Sequence, residues 1–109
     1  MAHIVCCLDE DVEAFHAPPN AGSIGIELCD PQTGNDWGDA NHVSMLDLAA
    51  RLVNDIATRH QIPLVWRDAS QLRAGNAGIC GHADVSQAWH KTDHTDPGPY
   101  FPVDQFMQL

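Results

Sequence analysis

The sequence predicts an α/β fold in which a mixed central β-sheet is flanked by helices. Four short segments have the length and the apolar composition of strands, and one long segment has the 3.6-residue periodicity of an amphipathic helix. The predicted order is strand, strand, helix, strand, strand, helix, which is typical of layered α/β domains. Because 109 residues suffice for one hydrophobic core, we predict a single domain over residues 1–109.

Two strands are predicted in the first thirty residues. Residues 4–8 form a continuous apolar run, as in a strand covered on both faces. Residues 23–29 alternate, with isoleucine and leucine on one side and small or polar residues on the other. Glu27 lies on the second side, and a carboxylate flanked by small residues there faces either water or a cleft.

The clearest helix is predicted to start near Ser44, which can cap the first turn while Asp47 occupies the third helical position. An apolar stripe follows at helical spacing, and Pro63 prevents the helix from continuing beyond His60. The remaining predicted elements are strands at 63–66 and 79–82 and short helices at 69–72, 84–89 and 101–109.

Composition excludes several classes of partner. The net charge of −10 disfavours binding to nucleic acid, because the field of the domain would repel phosphates. No run approaches the roughly 18 apolar residues of a membrane helix, and no signal peptide is visible. The four cysteines have no CxxC spacing and lie among apolar residues, so we predict buried thiols.

A window at residues 79–101 contains the side chains that favour metal chemistry. It holds His82, His90 and His94 together with Asp84, Asp93 and Asp96. Imidazole and carboxylate groups are zinc ligands, and a turn rich in proline and glycine after Asp96 can fix a side chain in one orientation. The simpler alternatives are that His82 is satisfied in the core and that Asp96 caps a turn.

Three separated motifs carry a resemblance to a known family. Residues 23–28, Gly81 to Asp84 and Thr95 to Pro99 resemble the zinc-dependent type-2 N-acetylmuramoyl-L-alanine amidases, whose superfamily includes the peptidoglycan recognition proteins. Residues 78–106 are especially similar to amidase domains of mycobacteriophage endolysins. The resemblance implies a zinc hydrolase of peptidoglycan that is made in the host cytoplasm and acts on the cell wall after release.

The resemblance also assigns roles to individual residues. His82 and Asp96 correspond to the second and third zinc ligands, and Glu27 corresponds to the glutamate that activates the attacking water. His94 stands where relatives carry a lysine that stabilises the oxyanion, and Lys91 is a second candidate for that role. Two further residues, His16 and Asn20, correspond to positions that line the substrate groove, although either could simply belong to its loop.

One expected ligand is missing from this alignment. The resemblance places the first zinc-binding histidine before Met1, together with the first strand and helix, so the chain is expected to be truncated at its N-terminus. His3, His90 or Cys80 could replace that ligand. The alternatives to an active amidase are a catalytically inactive module that binds muropeptides and a truncated remnant with no ligand.

Overall fold

Helices dominate the computed structural model, which describes residues 4–29 and 36–109. Four helices follow in chain order, namely α1 (Ala40–His60), α2 (Ala69–Arg73), α3 (His82–Trp89) and α4 (Val103–Met107). The helix α2 packs against α3, and α1 packs against α4. None of the helices in these two described ranges is both long enough and apolar enough to cross a bilayer.

The predicted mixed β-sheet is wrong for the described residues. They contain a single isolated parallel bridge, between Trp66 and Ile79, in place of a sheet. Two hydrogen bonds make this bridge: Arg67 N–H donates to Ile79 O at 2.7 Å, and Ile79 N–H donates to Val65 O at 2.9 Å. The strands predicted at 63–66 and 79–82 are therefore reduced to one point of contact.

The two N-terminal strands are also absent. Residues 4–8 are exposed, with Val5 at 79%, so this apolar run is not a covered strand. In the segment 23–29 the alternation of burial fails, because Ile24 and Leu28 are half-buried while Ile26 is exposed. A strand is stable only when another strand pairs with it, and neither segment has a pairing partner in the described chain.

The long helix begins earlier than predicted. Asp39, not Ser44, is its N-cap, and the Asp39 carboxylate accepts a hydrogen bond from His42 N–H at 2.9 Å. The backbone therefore turns helical four residues before Ser44, which lies within α1. At the other end the prediction is confirmed: α1 ends at His60, and Gln61 adopts a left-handed conformation with φ 57°.

A small core holds α1, α4 and the intervening loops together. Its fully buried centre is Leu46, with 0% exposure, and the other buried members are Trp37, Ala49, Phe101 and Phe106. The Phe101 ring contacts those of Trp37 and Phe106 edge-on or tilted, with centroids 5.1 and 5.4 Å away. The α1 members of this core, Leu46 and Ala49, belong to the apolar stripe that the sequence predicts for this helix.

Other boundaries and burial predictions need correction. The third helix begins at His82 instead of Asp84, so His82 lies on a helix and not on a strand, and α4 is confined to Val103–Met107. Cys6, Cys7 and Cys29 are exposed, so the prediction of buried thiols is wrong for these three. They lie in the N-terminal part of the chain, where the described residues form no sheet to cover them.

Candidate metal centre

Three potential ligands converge at the start of α3. One ligand atom each from His82, His94 and Asp96 lies within 4.8 Å of the other two. His82 Nδ1 lies 3.3 Å from Asp96 Oδ1. The imidazole rings of His82 and His94 stack with centroids 4.9 Å apart and planes 13° from parallel.

The first turn of α3 fixes the backbone of His82. Gly81 is the N-cap, and its N–H donates to the Asp84 carboxylate at 2.9 Å, so the acidic side chain in the first turn closes the start of the helix. Gly81 is buried, and a Cβ there would lie 2.8 Å from Pro97 Cδ. Only glycine therefore allows the loop that contains Asp96 to pack this closely on the helix.

Two hydrogen bonds attach that loop to α3. Ala83 N–H, a free donor of the first helical turn, donates to Asp96 O at 3.1 Å. Buried Ser86 donates its hydroxyl to His94 O at 2.7 Å. The backbones of both loop residues are therefore held by the helix that carries His82, while their side chains remain exposed.

The segment after Asp96 is anchored in the core. Gly98 has φ 89°, a conformation that glycine adopts without strain, and its N–H donates to Thr95 O at 2.9 Å. Phe101 N–H donates to Gly98 O at 3.3 Å, and the Phe101 ring is buried and stacks on Trp66. The loop that contains His94 and Asp96 is therefore fixed to α3 by hydrogen bonds and to the core through Phe101.

The geometry of the pair His82 and Asp96 fits a zinc ion. Bonds of about 2.0–2.1 Å in a tetrahedral site place two ligand atoms about 3.3 Å apart, which is the distance from His82 Nδ1 to Asp96 Oδ1. A charge-assisted hydrogen bond would be shorter, at about 2.7–2.9 Å. The other ring nitrogen, His82 Nε2, is buried without a hydrogen-bond partner in the described chain, whereas zinc-bound histidines usually donate this second nitrogen to an acceptor.

Cys80 lies two residues before His82 but is poorly suited to bind a metal. Burial, with a smaller contribution from the negative charge of Asp84, raises the pKa of its thiol to about 11. Metals bind the thiolate, and Cys80 is not part of the group formed by His82, His94 and Asp96.

The proposed water-activating residue, Glu27, lies on a different segment. It is exposed, and it precedes Leu28, which packs against the core around Leu46 and Phe101. Glu27 is not one of the three clustered ligands. Its role as a base stays a prediction.

The predicted groove residues form a compact loop of their own. Asn20 accepts hydrogen bonds from the backbone N–H groups of His16 and Ala17, both at 2.9 Å. Both ring nitrogens of His16 are engaged, with Ala14 O and Ser23 Oγ, each at 2.8 Å. The side chains of His16 and Asn20 therefore stabilise this turn, and their contact with substrate stays a prediction. Lys91 is exposed, beside the C-cap of α3.

A second group of possible ligands was not found from the sequence. Glu10, Asp11 and His60 place one ligand atom each within 4.8 Å of one another. Arg59 already occupies this position: its Nη1 lies 2.6 Å from Glu10 Oε2, and its hydrogen bond, followed by that of His60, lowers the pKa of Glu10. A guanidinium ion repels a metal cation, so we interpret this group as an ion-pair network. The sequence feature that could have suggested this group is the pair of basic residues, Arg59 and His60, in the last turn of α1.

Comparison with known proteins gives one significant result. A sequence model described as N-acetylmuramoyl-L-alanine amidase matches residues 2–99. This match includes the whole of α3 and the loop to Asp96. No curated protein and no solved structure matches significantly.

Proposed function

We propose that this chain, which belongs to the N-acetylmuramoyl-L-alanine amidase family, hydrolyses the amide bond between N-acetylmuramic acid and L-alanine in peptidoglycan with the help of zinc. The observation that carries the proposal is the approach of His82 and Asp96, 3.3 Å apart, at the start of α3. The family match identifies the substrate class, and the pair of ligands gives the chain a place for the metal.

The residues of the chain would divide the work between two segments. His82 and Asp96 would hold the metal; Gly81 begins the helix that carries His82, and Ala83 N–H binds the backbone of Asp96. When bound, zinc supplies Lewis acidity, which polarises a carbonyl group and lowers the pKa of a coordinated water to about 7. Glu27 would accept the proton of the attacking water and pass it to the departing amine of alanine.

A cationic group near the developing oxyanion would complete the site. Lys91 is exposed on the loop that leads from α3 to Asp96, and its ammonium group would stabilise the oxyanion. Peptidoglycan is thus the proposed partner. We propose that the protein is made in the cytoplasm of a host cell and lyses the cell wall after release.

The experiment is an assay for a newly formed alanine amine after incubation of the protein with a muramyl peptide and zinc. Wild-type protein should release the peptide, and the variants His82→Ala and Glu27→Gln should each lower the rate by at least about 100-fold. Asp93→Asn is the matched control, because Asp93 is an exposed carboxylate in the same loop that does not join the cluster.

The outcomes separate amidase activity from simple binding. Release of the peptide with a free alanine amine that depends on zinc, His82 and Glu27 supports the proposal. Saturable binding of the muramyl peptide without cleavage would overturn it in favour of an inactive binding module. Cleavage that is unchanged in His82→Ala would show that another group holds the metal.

A further inference from the structure

We infer that His94 is a third protein ligand of the zinc ion, so that His82, His94 and Asp96 together form the metal centre. The inference rests on the proposed function for the identity of the metal. It changes the role expected for His94, which the sequence resemblance assigns to the oxyanion. It also gives the chain a set of three ligands without Cys80 or any residue before His82.

The position of the His94 side chain is the first reason. One of its ring nitrogens belongs to a group in which all three ligand atoms lie within 4.8 Å of one another. Three protein ligands with one open position are the usual complement of a catalytic zinc site, and two imidazoles with one carboxylate are a known ligand set. His90, the other histidine of this loop, does not join the group.

Both backbone polar groups of His94 have hydrogen-bond partners, whereas its ring has none among the described residues. Ser86 donates to His94 O at 2.7 Å, and Thr92 Oγ1 accepts from His94 N–H at 3.4 Å. The ring itself makes no hydrogen bond to a residue in the described parts of the chain, although it stacks on His82. A ring without a polar partner can bind a metal without first giving up a hydrogen bond.

The charges around Asp96 also leave this position open to a metal ion. Within residues 4–29 and 36–109 no lysine or arginine nitrogen lies within 4.0 Å of the Asp96 carboxylate, in contrast to Glu10, where Arg59 takes the place of a metal.

The test compares two substitutions that separate the two roles of His94. His94→Ala removes the imidazole, whereas His94→Lys restores the cation that relatives carry at this position but supplies a poor zinc ligand at neutral pH. His90→Asn is the control, because His90 is an exposed histidine in the left-handed conformation that asparagine tolerates. Zinc affinity is measured by competition with a chromophoric chelator, and zinc X-ray absorption counts the bound imidazoles.

We expect two imidazoles in the wild-type protein and in His90→Asn, and one in both His94 variants. Loss of a residue that supports a ligand typically lowers metal affinity by about 10–100-fold, so loss of a ligand should lower it by at least about 100-fold. Circular dichroism should show unchanged helix content, since His94 is exposed.

The results distinguish this inference from the proposed function. If His94→Lys binds zinc as the wild type does and remains an active amidase, His94 is not a ligand and the inference is overturned, while the amidase proposal stands. If the wild type binds zinc through two imidazoles but cleaves no muramyl peptide, the inference stands and the amidase proposal fails. A single bound imidazole in the wild type would also overturn the inference.

Discussion

Gly81→Ala should disrupt the proposed metal centre although residue 81 is not one of its proposed ligands. A Cβ at this position would lie 2.8 Å from Pro97 Cδ, whereas ordinary contact begins at 3.4 Å, so the helix and the loop must separate by about 0.6 Å. The proline ring cannot rotate out of the way. Because Asp96 immediately precedes Pro97, the separation acts directly on the distance between Asp96 and His82.

The size of the expected loss of zinc affinity follows from how little the ligand distances of a metal site can vary. Ligand distances vary by only about 0.2 Å around their preferred values, so a displacement of 0.6 Å exceeds the tolerance about threefold. We expect zinc affinity to fall at least about tenfold and hydrolysis to fall by up to about 100-fold. Crowding at a buried position should also lower the free energy of unfolding by about 1–3 kcal/mol.

The matched control for this prediction is Gly75→Ala. Gly75 has φ 85° with open space around its Cβ position, so alanine costs about 1–2 kcal/mol of backbone strain without moving the loop. Chelator competition measures zinc affinity, and urea denaturation of the zinc-free protein measures stability. Wild-type zinc affinity in Gly81→Ala would refute the reasoning, as would an equal loss of affinity in Gly75→Ala.

Three further predictions test the core, a thiol and a helix cap. Leu46→Ala should lower the free energy of unfolding by about 2–5 kcal/mol in urea denaturation because Leu46 is fully buried, whereas Leu64→Ala, at a half-exposed position, should cost clearly less. Cys80 should react with iodoacetamide at least about tenfold more slowly than the exposed Cys29. The rise in its pKa from 9.0 to about 11 reduces the thiolate about 100-fold, and greater intrinsic nucleophilicity restores only about tenfold; equal rates, read by mass spectrometry, would contradict this. Backbone and side-chain hydrogen bonds from His42 lower the pKa of Asp39, so this carboxylate stabilises the fold above pH 3.8, its ordinary pKa, and the contribution is lost as pH falls through the lower folded value. Asp39→Asn should therefore flatten the acid dependence of stability in this range, and an unchanged profile would count against the cap.

The success of sequence-based prediction depended on how local each feature is. The apolar stripe of α1 and its end before Pro63 were predicted correctly, because a helix forms its hydrogen bonds within one segment. The start was missed because Asp39 lies in a polar stretch that resembles a loop, although aspartate is as good an N-cap as Ser44. The prediction of a sheet was wrong because strand pairing depends on residues far apart in sequence. The alternation in residues 23–29 does not indicate which segment would pair with it.

The candidate site follows the same rule. His82 and Asp96 were predicted from motifs, and the structure brings them together through α3 and the loop that returns to it. His94 was expected at the site as the group that stabilises the oxyanion and not as a ligand, because its spacing of two from Asp96 corresponds to the lysine of related proteins. The stacking of two imidazoles depends on the path of the loop, which Ser86 determines through its bond to His94 O.

The metal centre and the proposed base therefore depend on different parts of the structure. The hydrogen bonds that fix the backbone around His82, His94 and Asp96 are made within residues 81–101, and Phe101 anchors this segment by packing on Trp37 and Trp66. Glu27 is more than fifty positions away in sequence, on a segment that packs through Leu28 without a sheet to fix its direction. Under the proposed function, a substitution that disturbs residues 24–29 should therefore lower the catalytic rate more than it lowers zinc affinity.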